Sequence, residues 1–399
     1  MISPSVVEGL PIVSLATRRN SSHPWIYRKM CRPATHAPGT LVEVFDREGR
    51  FVGRGIYNRK SEIAVRLLTE DPAELLDDAF FDARLDRAIS LRRDSLRLET
   101  VTNAYRVVNA EGDGLSGLVV DRYDTFVVAQ LYSAGWFRKL RWLLPALSRK
   151  LGGATVLVKA DASTEEREGF RLRDFEAERL GDSRLRTVIR EGGLKFHVDL
   201  RHGHKTGFFC DQREARLRVS AMARGLRVLD GCTYTGGFAL SAALGGAASV
   251  TAVDLDERAV ALGRENATLN GLGVDFHHAD IFPFLRDARA ARSAYDLIVL
   301  DPPKFAAGKS EIAGALKRYR DLNRLALGLL EGGGTLITCS CSGSVSPTRF
   351  REAVLQGARD AGARVEMLGI TGPGPDHPVR PEFPEGRYLK VLALAVRGK

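Results

Sequence analysis

The residue types that covalent or group-transfer chemistry needs gather in two short stretches. TCSCSG (338–343) holds Cys339 and Cys341 after one apolar run, and LDPPKF (300–305) holds Asp301 and Lys304 after another. A thiol near a cation ionises more readily and becomes a nucleophile. The two prolines fix φ and hold the backbone open, so a base-sized ring can rest beside exposed carbonyls. A strand period of two points both cysteines the same way, so that one enters a crevice while the other packs beneath it. An inert core thiol is the commoner fate of cysteine, a strained redox pair is a weaker alternative, and a bare D-P-P can be a plain turn.

A third stretch, RVLDGCTYTGGFALSAALGGAASVTAVD (227–254), reads as half of a nucleotide-binding βαβ unit. It lacks the G-x-G-x-x-G of dinucleotide enzymes and has Gly231 and the pair Gly236-Gly237 instead. Glycine is expected where a ligand touches the backbone, because a Cβ would exclude it. Asp254, closing the next strand, is positioned to accept both hydroxyls of a ribose. Asp280, ending HHAD, is the candidate acceptor for an adenine amino group, although a lone Asp at a strand end is more often a helix cap. GHKTGFFCDQR (203–213) has the small, aromatic and polar residues that a lid or clamp would need.

Residues of this kind become a site only if the fold brings strand ends together. Across 196–399 apolar strands alternate with helical patterns, at 228–231, 250–254, 274–277, 296–301 and 335–340, with 365–370 and 388–396 as a closing pair. That order predicts a parallel sheet covered by helices on both faces. Ligands in such sheets lie outside the carboxyl ends of the strands, where Asp254, Asp280, Asp301 and the cysteines all fall.

Two further regions precede this half. Residues 1–75 hold alternating strands at 41–58 and 63–68, with Gly49, Gly53 and Gly55 favouring turns and bulges. They read as a small basic β-barrel: residues 1–59 carry nine Lys/Arg against four Asp/Glu. HPWIYRK (23–29) interleaves Trp25 and Tyr27 with Arg28 and Lys29, a pattern that stacks on bases and neutralises phosphates. For Trp25 itself, plugging the barrel is the simpler expectation. Residues 76–195 read as a helical stretch followed by a strand–strand–helix–strand unit, with the strands broken at 121–124, a helix over 136–151, and Asp113 and Asp121 serving turns.

The chain has 399 residues, 44% of them apolar, and a formal charge of +10. That length predicts two or three domains, and the charge favours a polyanionic partner. Five scattered cysteines without a C-x-x-C spacing exclude a disulfide framework and a zinc site of that type. Without a signal pattern or an apolar run long enough to span a bilayer, a cytoplasmic protein is expected.

Taken in order, these motifs resemble class I S-adenosylmethionine (SAM) methyltransferases, and more closely the ribosomal RNA large subunit methyltransferase I family, whose members carry a PUA domain and make 5-methylcytosine in 23S rRNA. HPWIY and GRGIYN match the family's PUA module and EGDGLSGLVVDRY its middle domain. GHKTGFFCDQR, YTGGF, DPPKF, CSCSG and DHPV…PEGRYLK match its catalytic domain. The resemblance implies an α/β fold with a PUA domain (1–75), a central α+β domain (76–195) and a Rossmann-like methyltransferase domain (196–399). It implies SAM as cofactor, contacting Gln212, Tyr234, Thr235, Gly236, Gly237, Phe238, Asp254, Asp280 and Asp301. It also implies Cys341 as nucleophile, since Cys341 falls on the family's SCSG cysteine; in such a mechanism Asp301 is expected to hold the base and Lys304 to assist electrostatically or bind the RNA backbone. Trp25, Tyr27, Arg28 and Lys29 would face RNA. The partner would be ribosomal RNA, with no membrane and with a second copy of the chain as a further candidate. The turn departs from relatives at Gly231-Cys232.

Two rival readings follow from the same residues. Methylation at a base nitrogen usually has an aromatic after D/N-P-P, where this chain has Lys304. A non-catalytic RNA-binding protein with a SAM pocket would not need Asp254, Asp301 and Cys341 intact. An NAD-dependent oxidoreductase is disfavoured by the missing dinucleotide glycines.

Overall fold

The computed structural model describes residues 9–172, 185–203 and 206–398. Two compact units emerge: one holds residues 1–187, 198–208 and 375–384, the other 188–197, 209–374 and 385–399.

In the first unit, a sheet of order Ile12–Ser14, Thr40–Phe45, Phe51–Tyr57, Ile63–Thr69, Trp25–Tyr27 forms the N-terminal module. Its outer strands are drawn together where Ala16 N–H donates to Met30 O and Arg32 N–H to Ser14 O, both at 2.8 Å, which closes the barrel. Alternation sends Val42, Val44 and Val65 inward onto Val13, Leu15 and Ile26. Gly55 is obligatory by contact, since a Cβ there would lie 2.2 Å from Arg66 O.

A second sheet in the same unit orders Ala104–Asn109, Leu118–Tyr123, Phe126–Leu131 and Thr155–Lys159. The helix Asp78–Ser90 packs on it through Phe81 and Leu85, beside Trp136 and Leu147. Three expectations are corrected here. The strand runs through Asp121 to Tyr123 instead of breaking there, and the helix over 136–151 is two helices, Ala134–Arg138 and Leu140–Lys150. Asp121 is a buried ion-pair partner, accepting from Arg106 at 2.5 and 3.1 Å, whereas Asp113 does serve its turn by accepting Asn109 N–H at 2.6 Å and in addition clamps the fully buried Arg92 at 2.6 and 2.8 Å. A buried guanidinium is tolerated only when it is paired and hydrogen-bonded, and Arg92 also donates to the carbonyls of Ala88, Arg106 and Asp376.

The second unit is built mainly on one seven-stranded sheet. Its strands are β1 (Arg227–Gly231), β2 (Ser249–Asp254), β3 (Asp275–His278), β4 (Tyr295–Leu300), β5 (Leu330–Ser340), β6 (Arg364–Thr371) and β7 (Lys390–Gly398). Among the described residues their order is β3-β2-β1-β4-β5-β7-β6, with β7 antiparallel to both neighbours and the pairs from β3 to β5 parallel. Helices α1 (Gly237–Leu244), α2 (Glu257–Asn270), α3 (Ile281–Ala290), α4 (Ile312–Leu327) and α5 (Pro347–Asp360) connect the strands. The order reverses at β1, so the carboxyl ends of β1 and β4 flank a topological switch point.

Candidate active site

The turn from β1 into α1 is held from every side. Asp230, the buried penultimate residue of β1, accepts from Ala239 N–H at 2.8 Å and from the Thr233 hydroxyl. Asn266 on α2 donates to Thr235 O at 3.1 Å, and Thr233 N–H to Val253 O at 3.0 Å. Cys232 and Tyr234 both have positive φ, 63° and 53°, and Gly236 follows at 86°. Two non-glycine residues in the left-handed region of one turn persist only where the surroundings over-determine them.

The glycines of this turn have a packing reason beside the one expected. A Cβ on Gly231 would lie 2.8 Å from Ile281 Cδ1 and 3.0 Å from Leu300 Cδ2; on Gly236 it would lie 3.0 Å from Phe276 Cζ, and on Gly237 3.1 Å from Arg216 Cδ. The space is filled by the protein's own side chains. Packing and turn handedness thus favour glycine here in their own right.

Asp254 closes β2 half-buried, accepting Tyr234 N–H at 2.7 Å on one oxygen and Asp256 N–H at 2.9 Å on the other. The carboxylate is thereby locked in place, and each oxygen keeps a lone pair for a further donor. Asp280 is exposed and caps α3 through Phe282 N–H at 2.8 Å. Asp301 follows β4, its N–H bonded to Gly231 O at 3.1 Å and its carboxylate taking the Gln212 amide N–H at 2.9 Å. Burial pushes the Cys232 thiol well above its ordinary range, and Asp254, Asp301, Asp230 and Asp280 push it further. The carboxylates from four strand ends therefore converge on one place.

Across the switch point, β5 ends at Ser340, which pairs with Lys390. The strand period thus stops before Cys341, and the two cysteines do not share an environment. Cys339 is fully buried, with its thiol held well above the usual range by burial and then by Asp301. Cys341 is half-buried, its Sγ 4.0 Å from Pro302 O on the D-P-P-K loop. Lys304 is exposed on that loop.

The stretch 203–213 is only partly visible, because His204 and Lys205 lie outside the described residues. Gln212 is buried beside Asp301, and Arg216 Nε binds Glu191 at 2.6 Å. Asp211 accepts the Tyr388 hydroxyl at 2.5 Å, and Phe209 meets the Tyr234 ring edge-on at 5.2 Å.

Trp25, Tyr27, Arg28 and Lys29 belong to the first unit. Trp25 is half-buried, and instead of plugging the barrel it packs outside that core. Its indole N–H donates to Glu111 Oε1 at 2.8 Å, with Phe383 at 4.7 Å and the Arg66 guanidinium at 5.5 Å. Tyr27, Arg28 and Lys29 are exposed, and Arg28 pairs with Glu62.

Sequence reasoning passed over Asp230, Tyr319, Ser342 and Lys390. The Tyr319 hydroxyl meets Ser342 Oγ at 3.0 Å, and Lys390 Nζ reaches Ser342 O at 2.7 Å. The signal available was Lys390 itself, a lone cation opening the apolar strand KVLALAV.

A six-parallel-type order with one reversed strand, an over-determined turn after β1 and acidic residues at successive strand ends together define the class I methyltransferase fold. The family of S-adenosylmethionine-dependent methyltransferases matches residues 144–378, and a PUA-like domain matches residues 15–70. The chain is 39% identical to "Ribosomal RNA large subunit methyltransferase I" of Aeromonas salmonicida over 94% of its length and 96% of that protein's. It is 38% identical to the protein of the same name from Escherichia coli, over 94% and 95%. The crystal structure of SMU.776 complexed with SAH superposes with a TM-score of 0.82 at 23% identity, covering 98% of this chain and all of that one. The chain belongs to the ribosomal RNA large subunit methyltransferase I family, a PUA-containing branch of the SAM-dependent methyltransferases, and SAM is its cofactor.

The donor set suits that group. Gln212 Oε1 is buried with no hydrogen-bond partner among the described residues, which an ammonium donor would satisfy. The locked Asp254 carboxylate has lone pairs for vicinal hydroxyls.

Proposed function

We propose that this protein methylates large-subunit ribosomal RNA and forms 5-methylcytosine through a transient cysteine adduct. The observation that carries the reading is the half-buried Cys341 beside the Asp301–Lys304 loop, its Sγ 4.0 Å from Pro302 O, while Cys339 and Cys232 are held as neutral thiols. In this reading Gln212, the 234–238 turn, Asp254, Asp280 and Asp301 hold SAM, which supplies an electrophilic methyl group when bound.

Carbon 5 of cytosine is a weak nucleophile. The Cys341 thiolate adds to carbon 6, the ring electrons shift to carbon 5, and carbon 5 takes the methyl group. A base or water then removes the carbon 5 proton, and the returning electrons expel the thiolate. Asp301 and the neighbouring carbonyls hold the base edge, and the exposed Lys304 adds positive potential toward phosphate. A base within structured RNA must be unstacked first. Tyr27, Arg28 and Lys29, exposed on the basic N-terminal module, suit phosphate and base contacts there. The same reading carries the three-part division at residues 75 and 195, a cytoplasmic location, and a second copy of the chain as a candidate partner.

The test is Cys341→Ala, with methyl transfer to rRNA and SAM binding measured separately. Transfer should fall to background while binding is unchanged. Full transfer by the variant would refute the adduct and leave methylation at a base nitrogen as the better reading.

A further inference from the structure

We propose that Lys390 is a positioning residue for Cys341: its ammonium ties the loop after Cys341 to the start of the last strand and supplies that loop with a fixed cation. The inference rests on the reading of Cys341 as nucleophile, although its test does not.

β7 is apolar, and a lysine at its first position is buried at 2% exposure. Its Nζ donates to Ser342 O at 2.7 Å, Val345 O at 3.0 Å and Tyr388 O at 2.8 Å, which uses all three ammonium donors. Two of those carbonyls lie in the loop that follows Cys341, and the Ser340–Lys390 pair fixes the strand just before it. The loop is thus clamped on both sides of the sulfur.

A loop tie alone would not require a charge. A buried ammonium loses hydration that neutral carbonyls only partly replace. Among the described residues no carboxylate lies within ion-pair distance of Nζ. The positive charge is therefore not cancelled, and its field remains for a neighbouring anion. The groups that act on Lys390 are Cys341 and Lys304: burial lowers its pKa to about 8, a Cys341 thiolate raises it, and Lys304 lowers it. Asp301 and the Tyr319 phenol also face this place, since both act on the cysteines or on Ser342. Coupling of this kind is mutual, so the cation that is favoured by the thiolate favours the thiolate equally.

The experiment measures iodoacetamide alkylation of Cys341 against pH in the full chain, resolved from the other cysteines by peptide mass spectrometry. Wild type is compared with Lys390→Met and Lys390→Arg, with SAM binding as the check on folding. In Lys390→Met the midpoint should rise by about one pH unit, so alkylation near neutral pH falls about tenfold. Lys390→Arg should recover most of it, which lost loop packing alone would not predict. If Lys390→Met does not fold, Lys390→Gln keeps an N–H donor without the charge and is expected to show the same shift. An unchanged midpoint in a folded, SAM-binding Met or Gln variant overturns the proposal. Retained transfer by Cys341→Ala would instead overturn the nucleophile reading and leave the alkylation result standing.

Discussion

Asp230 offers a quantitative test of how the cofactor turn is held. Burial, assisted by the Asp301 and Asp254 carboxylates, pushes its pKa from 3.8 up to about 7, against the hydrogen bonds from Thr233 and Ala239. Its Oδ1 is buried with no hydrogen-bond partner among the described residues. A folded-state pKa raised above the unfolded one means that the folded protein binds more protons between the two values. The contribution is fully present below about pH 4 and is lost as pH rises through about 7. About three units correspond to on the order of 4 kcal/mol in all, of which roughly 2.5 kcal/mol falls between about pH 5 and about pH 8. Asp230→Asn keeps the shape and an acceptor for Thr233 and Ala239 but removes the titration. The assay is urea unfolding of both proteins at the two pH values, following the transition that SAM shifts. Relative to wild type, the variant should gain roughly 2.5 kcal/mol on going from the lower pH to the higher. Parallel pH dependences in the two proteins would show that Asp230 ionises normally and that the burial argument is wrong.

Three further substitutions separate conformation from contact. Gly236→Ala imposes φ +86° on an L-residue and brings Cβ to 3.0 Å from Phe276 Cζ, so thermal unfolding should show a loss of about 1–2 kcal/mol. Calorimetry should also show SAM affinity reduced roughly tenfold as the turn shifts; wild-type values in both would exclude a required left-handed turn. In the N-terminal module, Trp25→Phe removes the 2.8 Å bond to Glu111 and should cost about 1–2 kcal/mol. Lys29→Ala, at an exposed site, should leave stability within about 0.5 kcal/mol but reduce the salt dependence of RNA binding by about one phosphate contact. Equal stability losses from both substitutions would show that the two residues do not divide structure and binding in this way.

What could be read in advance was local. Alternating strands and helices gave the methyltransferase sheet with ends within a few residues, because apolar period and turn chemistry are properties of short windows. The same windows place Asp254 and Asp301 at strand ends. The errors arise where distant residues meet. Asp121 resembles a turn former until Arg106, 15 residues away, is found paired with it on the neighbouring strand. The glycines of the β1 turn also stand against Ile281, Leu300 and Phe276, neighbours that no short window shows. Trp25 suggests a barrel plug, yet its partners are Glu111 and Phe383, remote in sequence. Lys390 stands out in its strand as a buried cation, but its role does not, because two of its three carbonyl partners lie 45 and 48 residues earlier.

These long-range contacts also bear on which thiol can react. Cys232, Cys339 and Cys341 all stand near the carboxyl ends of central strands, and their intrinsic chemistry is the same. Their surroundings differ in sign. Cys232 lies in the field of Asp230, Asp254, Asp280 and Asp301, and the carboxylates that suit a cofactor's hydroxyl and amino groups disfavour a second anion among them. Cys339 is sealed in the sheet next to Asp301. Cys341 lies one residue beyond the end of β5, where the chain turns out of the ladder toward Pro302 and where two cations, Lys304 and Lys390, are coupled to the same place. An acidic cofactor site and a thiolate nucleophile make opposite electrostatic demands. Asp254 and Asp280 stand at the ends of β2 and β3 on one side of the β1/β4 switch point, and Lys304 and Lys390 lie on the other, with Asp301 at the boundary between them. Moving the thiol from residue 341 to residue 339 or 232 would keep a cysteine in the crevice but return it to a place where its neutral form is favoured, so position rather than residue type decides reactivity here.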